Sequence, residues 1–229
     1  MKSLLFHGRG WLPAVVATLL VAGVAHASPF VIFNTGVDGS GTPLFDATAP
    51  GATPDTHYTL VAIPGDLVTV RPVQVATSFR GFPIPPWIGD NSTSAWIGPN
   101  PDTQLNGPAG SYDYRTTFSL TGFDFNTAVI TGKWATDNSG SDILLNGGST
   151  GIPNTTGFGT FSPTFTISSG FVAGLNTLDF LVNNGGSTAN PTGLRVEMTG
   201  TATAIPEPAS LFLIGTGLVA FGIFRRRRA

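Results

Sequence analysis

The sequence predicts an all-β fold, a single jelly-roll-like β-sandwich, from its composition and from the alternation of residue types along its second half. The chain has 30 glycines and 18 prolines, together 48 of its 229 residues, whereas charged residues make up only 10%. Such a composition favours many turns and few long helices. Hydrophobic residues reach 41%, which supports a packed core and argues against a disordered chain.

Alternating apolar and polar residues indicate the individual strands. In residues 112–120, one face carries Tyr112, Tyr114, Thr116, Phe118 and Leu120. Further strands are predicted at residues 30–33, 56–61, 67–70, 128–135, 143–145, 161–167, 177–182 and 194–199. The pair Asn146-Gly147 indicates a tight turn between two strands. About ten short strands at this spacing predict one β-sandwich domain over residues 28–204.

The first 27 residues have the three parts of a secretory signal peptide. Lys2 and Arg9 precede an apolar stretch at residues 11–24, and Ala25 and Ala27 are the small residues expected before a cleavage site. Ser28 is then the first residue of the mature protein. An uncleaved membrane anchor is the alternative, but the apolar stretch is short for a membrane span.

The last segment, residues 205–229, has the composition of a membrane anchor. Residues 209–224 are uncharged and are predicted to form a transmembrane helix. Sixteen helical residues cover about 24 Å, less than the roughly 30 Å of a hydrocarbon core, and flanking arginines can snorkel to reduce the difference. Clustered arginines mark the cytoplasmic side, so the body is expected outside. The predicted sorting residues are Pro206, Glu207, Pro208, Arg225, Arg226, Arg227 and Arg228.

This order of Pro-Glu-Pro, apolar helix and arginine cluster resembles the PEP-CTERM protein-sorting signal. The family occurs in Gram-negative bacteria that make exopolysaccharide. The resemblance implies an exosortase, a transpeptidase-like membrane enzyme, as partner, with cleavage near the Pro-Glu-Pro. The chain would be held in the inner membrane before processing and then reach the cell surface or the extracellular matrix. A plain tail anchor without processing is the alternative.

A second resemblance covers roughly residues 112–203. Its motifs are Trp134-Ala135-Thr136-Asp137-Asn138, the run at residues 142–147, and Pro191-Thr192-Gly193-Leu194-Arg195. They look like the galactose-binding-like, discoidin-type jelly roll found in many exported carbohydrate-binding modules. The resemblance implies the sandwich fold, but this fold hosts many functions and does not settle the one performed here.

The body is poor in the residue types that catalysis uses. Residues 28–204 hold five basic and twelve acidic residues, so 5 − 12 = −7, and such a charge excludes nucleic acid as a partner. There is no cysteine, and the mature body has a single histidine, His57, and a single glutamate, Glu197. His57 is expected in a strand, and Glu197 is expected to face outward in a weak pair with Arg195. No catalytic residue is assigned.

Two groups of residues are candidates for ligand contact. Asp137, Asn138, Asp142 and Asn146 lie within ten positions and offer the oxygen ligands that calcium prefers, so they are a possible structural calcium site. An Asx-rich turn without metal is the alternative, and no other cofactor is expected. Trp87 and Trp96 lie in a loop rich in proline and glycine and could form an aromatic platform for a sugar, or else pack to close the loop.

The leading expectation is therefore an exported, non-enzymatic structural protein of the cell surface or extracellular matrix. The alternative is a carbohydrate-binding module for exopolysaccharide, with exposed Trp87 or Trp96 as its contact surface. The third reading, a glycoside hydrolase, requires two aspartates converging in one cleft.

Overall fold

The computed structural model describes residues 26–44, 53–66, 69–75, 83–99 and 107–205, together with 215 and 217. The signal-peptide prediction with Ala25, the sorting residues 206–208 and 225–228, and nearly all of the predicted helix at 209–224 lie outside these residues. Within the described part, no helix has the length and apolar character that crossing a bilayer requires. Ala27 belongs to the first strand.

Eleven strands form in the described part of the chain. They are β1 (Ala27–Phe30), β2 (Thr53–Ala62), β3 (Arg71–Val75), β4 (Ile97–Gly98), β5 (Gly110–Ser119), β6 (Phe123–Asp137), β7 (Ser139–Leu145), β8 (Gly148–Ser149), β9 (Phe165–Ile167), β10 (Leu175–Asn184) and β11 (Gly193–Ala204). Almost no helix accompanies them, and the all-β prediction is confirmed.

The strands form one antiparallel sheet with the order β8-β7-β10-β5-β2-β3-β4-β11-β6-β9, and β1 pairs with β11. Strands β2, β3 and β4 from the first half of the chain lie in the middle of this order. β2 pairs with β5, and β4 pairs with β11, so strands from both halves of the sequence share one sheet.

The sheet is curled, and its two halves face each other across one core. The ring centroids of Trp134 on β6 and Phe180 on β10 are 5.6 Å apart, although these strands are far apart in the sheet order. The residues of this core that are fully buried include Tyr58, Leu60, Tyr112, Tyr114, Ile130, Trp134, Phe180 and Val196. This arrangement is consistent with a β-sandwich.

The predicted alternation is confirmed in the most regular strands. On β5, the inward face holds Tyr112, Tyr114, Thr116 and Phe118, all of which are buried. The tight turn is also confirmed, because Asn146 and Gly147 have φ values of 52° and 78°. Several predicted boundaries differ. The largest differences are β1, which spans Ala27–Phe30 where 30–33 was predicted, β3, which spans Arg71–Val75 where 67–70 was predicted, and β9, which is limited to Phe165–Ile167. Ahead of β9 the regular pairing with β6 ends, and the Ser162 amide makes a separate hydrogen bond to the Trp134 carbonyl.

The first and last strands of the body meet at the same end of the sheet. Ala27 pairs with Thr203, and Phe30 pairs with Gly200, where a Cβ atom would lie 2.2 Å from the Phe30 ring. We call the end of the sheet where β1 begins and β11 ends the exit end. The turn at Asn146 and the hairpin that joins β5 to β6 also belong to it. The opposite, far end holds the β6–β7 turn and the loop between β10 and β11.

Candidate functional site

The candidate site is a groove on the outer face of β6, β9 and β11. Lys133 on β6 is the register partner of Glu197 on β11, and Thr131 is the partner of Thr199. Since side chains of register partners project to the same face of a sheet, these four lie side by side. The space above them has a volume of about 340 Å³, and Asn34, Thr93 and Thr164 complete its polar lining. We call it the Lys133–Glu197 groove.

Glu197 is the most heavily bonded side chain of the groove. Its Oε2 lies 3.0 Å from Lys133 Nζ, and its Oε1 accepts hydrogen bonds from Asn91 Nδ2 at 2.7 Å and Ser94 Oγ at 3.0 Å. Burial by itself would raise the pKa of Glu197, but the hydrogen bonds from Asn91, Lys133 and Ser94 outweigh it and hold this pKa below its ordinary value. The carboxylate is therefore charged at neutral pH.

Lys133 is the accessible cation of the groove. Its side chain is 41% exposed, and its Nζ lies 4.5 Å from the centroid of the Phe161 ring. An ammonium over an aromatic face gains a cation–π attraction, which fixes its position. Because Nζ has three donors and Glu197 takes one, Lys133 can still donate to a ligand in the groove.

Beside the groove, on the same face of β11 as Glu197, lies a fully buried arginine, Arg195. Its Nε donates to Ser94 Oγ at 2.8 Å, and its guanidinium also donates to the Gly89 carbonyl. Nη2 is 3.5 Å from Glu197 Oε1, and Nη1 is 4.0 Å from Asp90 Oδ1. Burial lowers the pKa of Arg195, and the charges of Asp90 and Glu197 oppose this shift. The guanidinium is thus a charged support on which Glu197 is held.

Glu197 lies on the outer face of β11 as predicted, but its pair with Arg195 is not the solvent-exposed pair that the sequence suggested. Arg195 is 0% exposed because the loop that carries Gly89, Asp90 and Ser94 covers this part of β11. Burial also raises the pKa of Asp90 to about 6, although the Trp96 amide and Arg195 favour its charged form. The sequence signal that was missed is a charged residue, Arg195, on the polar face of a strand, together with a long loop rich in Asp and Asn.

The prediction of an exposed platform at Trp87 and Trp96 is also wrong. Trp87 is 8% exposed and Trp96 is 0% exposed. Their ring centroids lie 4.3 Å apart, and Trp96 Nε1 donates to the Ile88 carbonyl at 2.9 Å. Phe158 packs on Trp87 from another loop, at 6.2 Å. The rings therefore form a small separate core that fixes the covering loop, which was the other reading of these two residues.

The four residues of the predicted calcium site do not share one position. Asp137 and Asn138 lie at the far end, Asp142 lies midway along β7, and Asn146 lies at the exit end. The eight steps from Asn138 to Asn146 along an extended strand correspond to about 26 Å, whereas calcium ligands lie within about 2.6 Å of the ion. One ion cannot bind all four residues.

Each of the four side chains has its own structural role. The Asn138 Oδ1 accepts from the Gly185 amide, Asp142 accepts from Ser149 and from two backbone amides, and the Asn146 Oδ1 accepts from the Thr177 amide. Burial raises the pKa of Asp137 to about 6, opposed by a hydrogen bond with Trp87. Among the described residues no three His, Cys, Asp or Glu side chains are placed to hold a metal. Calcium binding by this chain stays a prediction.

Two aspartates converge around one arginine on the outer face of the other half of the sheet. Arg115 on β5 binds Asp179 on β10 in a bidentate pair, with Nε–Oδ1 at 2.5 Å and Nη2–Oδ2 at 2.9 Å. Burial and the negative charge of Asp179 raise the pKa of Asp113 to about 6, opposed by Arg115. A protonated acid beside a carboxylate is the pair that a glycosidase needs. However, Asp179 is 1% exposed and Arg115 holds both of its oxygens, so it cannot reach a substrate in this arrangement.

His57 lies on β2 and packs against a neighbouring ring. Its imidazole stacks on Phe33 at a centroid distance of 3.7 Å, and its Nδ1 is 3.5 Å from Asp55 Oδ1. The Asp55 carboxylate is buried and accepts from the amides of Gly36 at 2.7 Å and His57 at 2.8 Å. Burial raises the pKa of Asp55, whereas the two amide hydrogen bonds and the interaction with His57 act to lower it. The pair joins β2 to the segment after β1.

Comparison with solved structures gives distant likenesses. A CBM35 from Paenibacillus barcinonensis is 19% identical, with 64% of this chain and 98% of that chain covered and a TM-score of 0.30. A family 35 carbohydrate binding module from an environmental isolate is 15% identical, with 43% and 74% covered and a TM-score of 0.25. A GH31 alpha-xylosidase from Xanthomonas citri is 10% identical, with 68% and 19% covered and a TM-score of 0.26.

The two carbohydrate-binding modules have the galactose-binding-like β-sandwich fold. Likenesses with TM-scores of 0.30 or below support no conclusion about the ligand of this chain. No curated protein matches the sequence significantly.

The C-terminal resemblance, in contrast, is confirmed by a family model. Residues 204–228 match the PEP-CTERM protein-sorting motif. This match starts at Ala204, the last residue of β11, so the sorting segment follows the sheet directly. The chain therefore carries a PEP-CTERM sorting motif, which indicates an exported protein of a Gram-negative bacterium.

Proposed function

We propose that this chain is a non-enzymatic protein of the cell surface or extracellular matrix, which an exosortase-type enzyme processes at its tail. The observation that carries the proposal is the sorting motif at residues 204–228, joined directly to β11. Before processing, residues 209–224 hold the chain in the inner membrane, with the arginine cluster on the cytoplasmic side. Processing then delivers the β-domain to the surface.

A non-enzymatic role is supported by how the charged side chains of the body are used. Arg115 holds Asp179 with two short hydrogen bonds, and Arg195 lies 3.5 Å from Glu197. Asp55 is held by backbone amides. Groups that are bonded in this way stabilise the fold, and a general acid or base must instead be free to reach a substrate.

The tail is tested by the intact mass of the protein that cells release. We expect a C-terminus near Pro206, without Arg225 to Arg228. Replacing Pro206, Glu207 and Pro208 together with alanine should block trimming and leave the full mass in the membrane fraction. Ser187→Ala, an exposed far-end substitution, is the matched control and should be trimmed normally. A released protein that keeps its arginines, or a triple variant that is still trimmed, contradicts the proposal.

Carbohydrate binding is the second candidate, and the Lys133–Glu197 groove favours it. The groove offers hydroxyls from Thr131, Thr199 and Thr164, a free donor on Lys133 and the carboxylate of Glu197. A mixture of donors and acceptors around a small space suits the hydroxyl groups of a sugar. Because Glu197 neutralises Lys133, the groove is suited to an uncharged sugar, and exopolysaccharide is the corresponding partner.

Binding of neutral oligosaccharides by the released protein tests this candidate. Lys133→Ala and Thr199→Ala should each weaken binding about tenfold, since one hydrogen bond to a charged or polar group contributes roughly 1–2 kcal/mol. Thr117→Ala, an exposed position on the outer face of β5, should leave binding unchanged. Equal binding by all three variants would exclude the groove. Repeating the binding measurement with a chelator shows whether calcium takes part. Removal of the metal abolishes binding only if calcium bridges the protein and the glycan.

A further inference from the structure

We propose that the exit end of the sheet is a membrane-contact surface, which rests on the lipid bilayer while the tail is uncut. We call it the exit surface and define it by Val172, Leu175 and Ile205, together with the half-buried Phe123 and Phe125 at the start of β6. The proposal rests on the proposed insertion of residues 209–224 in the membrane, and it adds a second contact made by the folded domain itself.

The exit surface is apolar and contiguous. Val172, Leu175 and Ile205 are 45%, 67% and 57% exposed, and they are three of the six large hydrophobic side chains that the described residues leave exposed. The β5–β6 hairpin joins them: the Leu120 amide donates to the Gly174 carbonyl, and the Ile205 amide donates to the Gly122 carbonyl, both at 2.8 Å. Exposed apolar side chains gathered in one place mark a contact surface.

Charge is nearly absent from this end. The segments that form it are residues 26–28, 119–127, 145–149, 168–176 and 203–205, and their ionisable side chains are Asp124 and His26. Removal of the signal peptide takes away His26 and leaves the α-amino group of Ser28 at this end. Their other polar residues are Ser, Thr and Asn, which can hydrogen-bond to lipid headgroups and interfacial water. The ion pairs Lys133–Glu197, Arg115–Asp179 and Arg71–Asp66 all involve residues outside these segments. A sparsely charged, partly apolar surface suits the boundary between headgroups and acyl chains.

The short connection between the sheet and the tail indicates that the lipid bilayer is the partner that covers the exit surface. Only residues 206–208 separate Ile205 from the uncharged stretch that begins at residue 209. Three residues span at most about 10 Å even when fully extended. An inserted tail therefore brings Ile205 to the membrane surface, and the neighbouring Leu175 and Val172 come with it.

The test uses single cysteines, since the natural chain has none. Leu175→Cys on the exit surface and Ser187→Cys at the far end are prepared in the chain that starts at Ser28 and keeps the tail, so that residues 209–224 are the membrane-inserting stretch under test. Each variant is labelled with a fluorophore and inserted in vesicles of phosphatidylcholine and phosphatidylglycerol. We expect iodide in the water to quench the Leu175→Cys label several-fold less than the Ser187→Cys label. A quencher attached to lipid acyl chains should show the reverse order.

Two failures can be told apart in the same samples. If the chain does not float with the vesicles, the tail is not inserted and the proposed membrane stage is wrong. If the chain floats but iodide quenches both labels equally, the tail is inserted and the exit surface does not touch the bilayer. Because both positions are exposed, neither substitution removes a core contact, and each labelled chain can be checked for the native unfolding transition.

Discussion

Replacing Arg195 with methionine is expected to lower the free energy of unfolding by about 3–5 kcal/mol, the usual cost of removing one partner of a buried ion pair. The substitution removes the cation near the buried Asp90 and leaves Glu197 with Lys133 alone. It also removes the donors to Ser94 and to the Gly89 carbonyl. Urea unfolding measures the loss, and the fluorescence of Trp87 and Trp96 reports it locally, because their loop covers the guanidinium.

Lys133→Met is the matched control for this prediction. Lys133 also pairs with Glu197, at 3.0 Å, but its side chain is 41% exposed. Exposed ion pairs contribute about 0–1 kcal/mol, so this variant should unfold close to the wild type. Both substitutions remove one positive charge next to the same carboxylate, so the difference between them measures the burial of Arg195 together with its bonds to Ser94 and Gly89. Equal losses in the two variants would show that Arg195 is not held as described.

The second large effect is expected for Gly140→Ala. A Cβ atom at Gly140 would lie 2.1 Å from Cη2 of Trp134, and the indole is fully buried against Phe180. Because the ring has no free space to move into, the strand must shift, and overpacking of this kind costs about 1–3 kcal/mol or more. Thermal unfolding, followed by the near-ultraviolet circular dichroism of the tryptophans, measures both the loss and the disturbed packing of Trp134.

Gly39→Ala provides the control for the glycine substitution. No atom lies within 4 Å of a Cβ at Gly39, and its backbone is outside the left-handed region. The alanine there should change the free energy of unfolding by no more than about 0.5 kcal/mol. If Gly140→Ala is as stable as this control, the close contact between β7 and Trp134 does not exist in solution.

The sequence was most informative where a strand is half buried and regular. On β5 the alternation of Tyr112, Tyr114, Thr116 and Phe118 identifies both the strand and its inward face, because each side chain's environment follows from its neighbours two positions away. The first half was harder to predict. Its strands carry prolines, and β3 and β4 are set by partners far along the chain, as in the pairing of Ile97 with Leu194.

The candidate site depended on contacts that no local pattern contains. Lys133 and Glu197 are 64 positions apart, and only the register of β6 against β11 brings them together. The environment of Arg195 depends on a loop about 100 positions earlier, and for the same reason the sequence could not tell whether Trp87 and Trp96 face water or the protein. The composition of the loop could suggest that its aspartates and asparagines lie near a functional site. Whether Arg195 and the two tryptophans are buried depends on packing between distant parts of the chain.

The position of β11 in the sheet has a consequence for the order of events during export. Among the described strands, β11 is the one partner of β1 and the one strand that joins β4 to β6, yet it is the last strand in the sequence. A chain that crosses the membrane from its N-terminus cannot close this sheet until residue 204 has emerged. Pairings over such sequence distances also form slowly. On the proposed export route, the domain would complete its folding only as the sorting tail reaches the membrane, so the sheet would close at about the time when the tail is inserted.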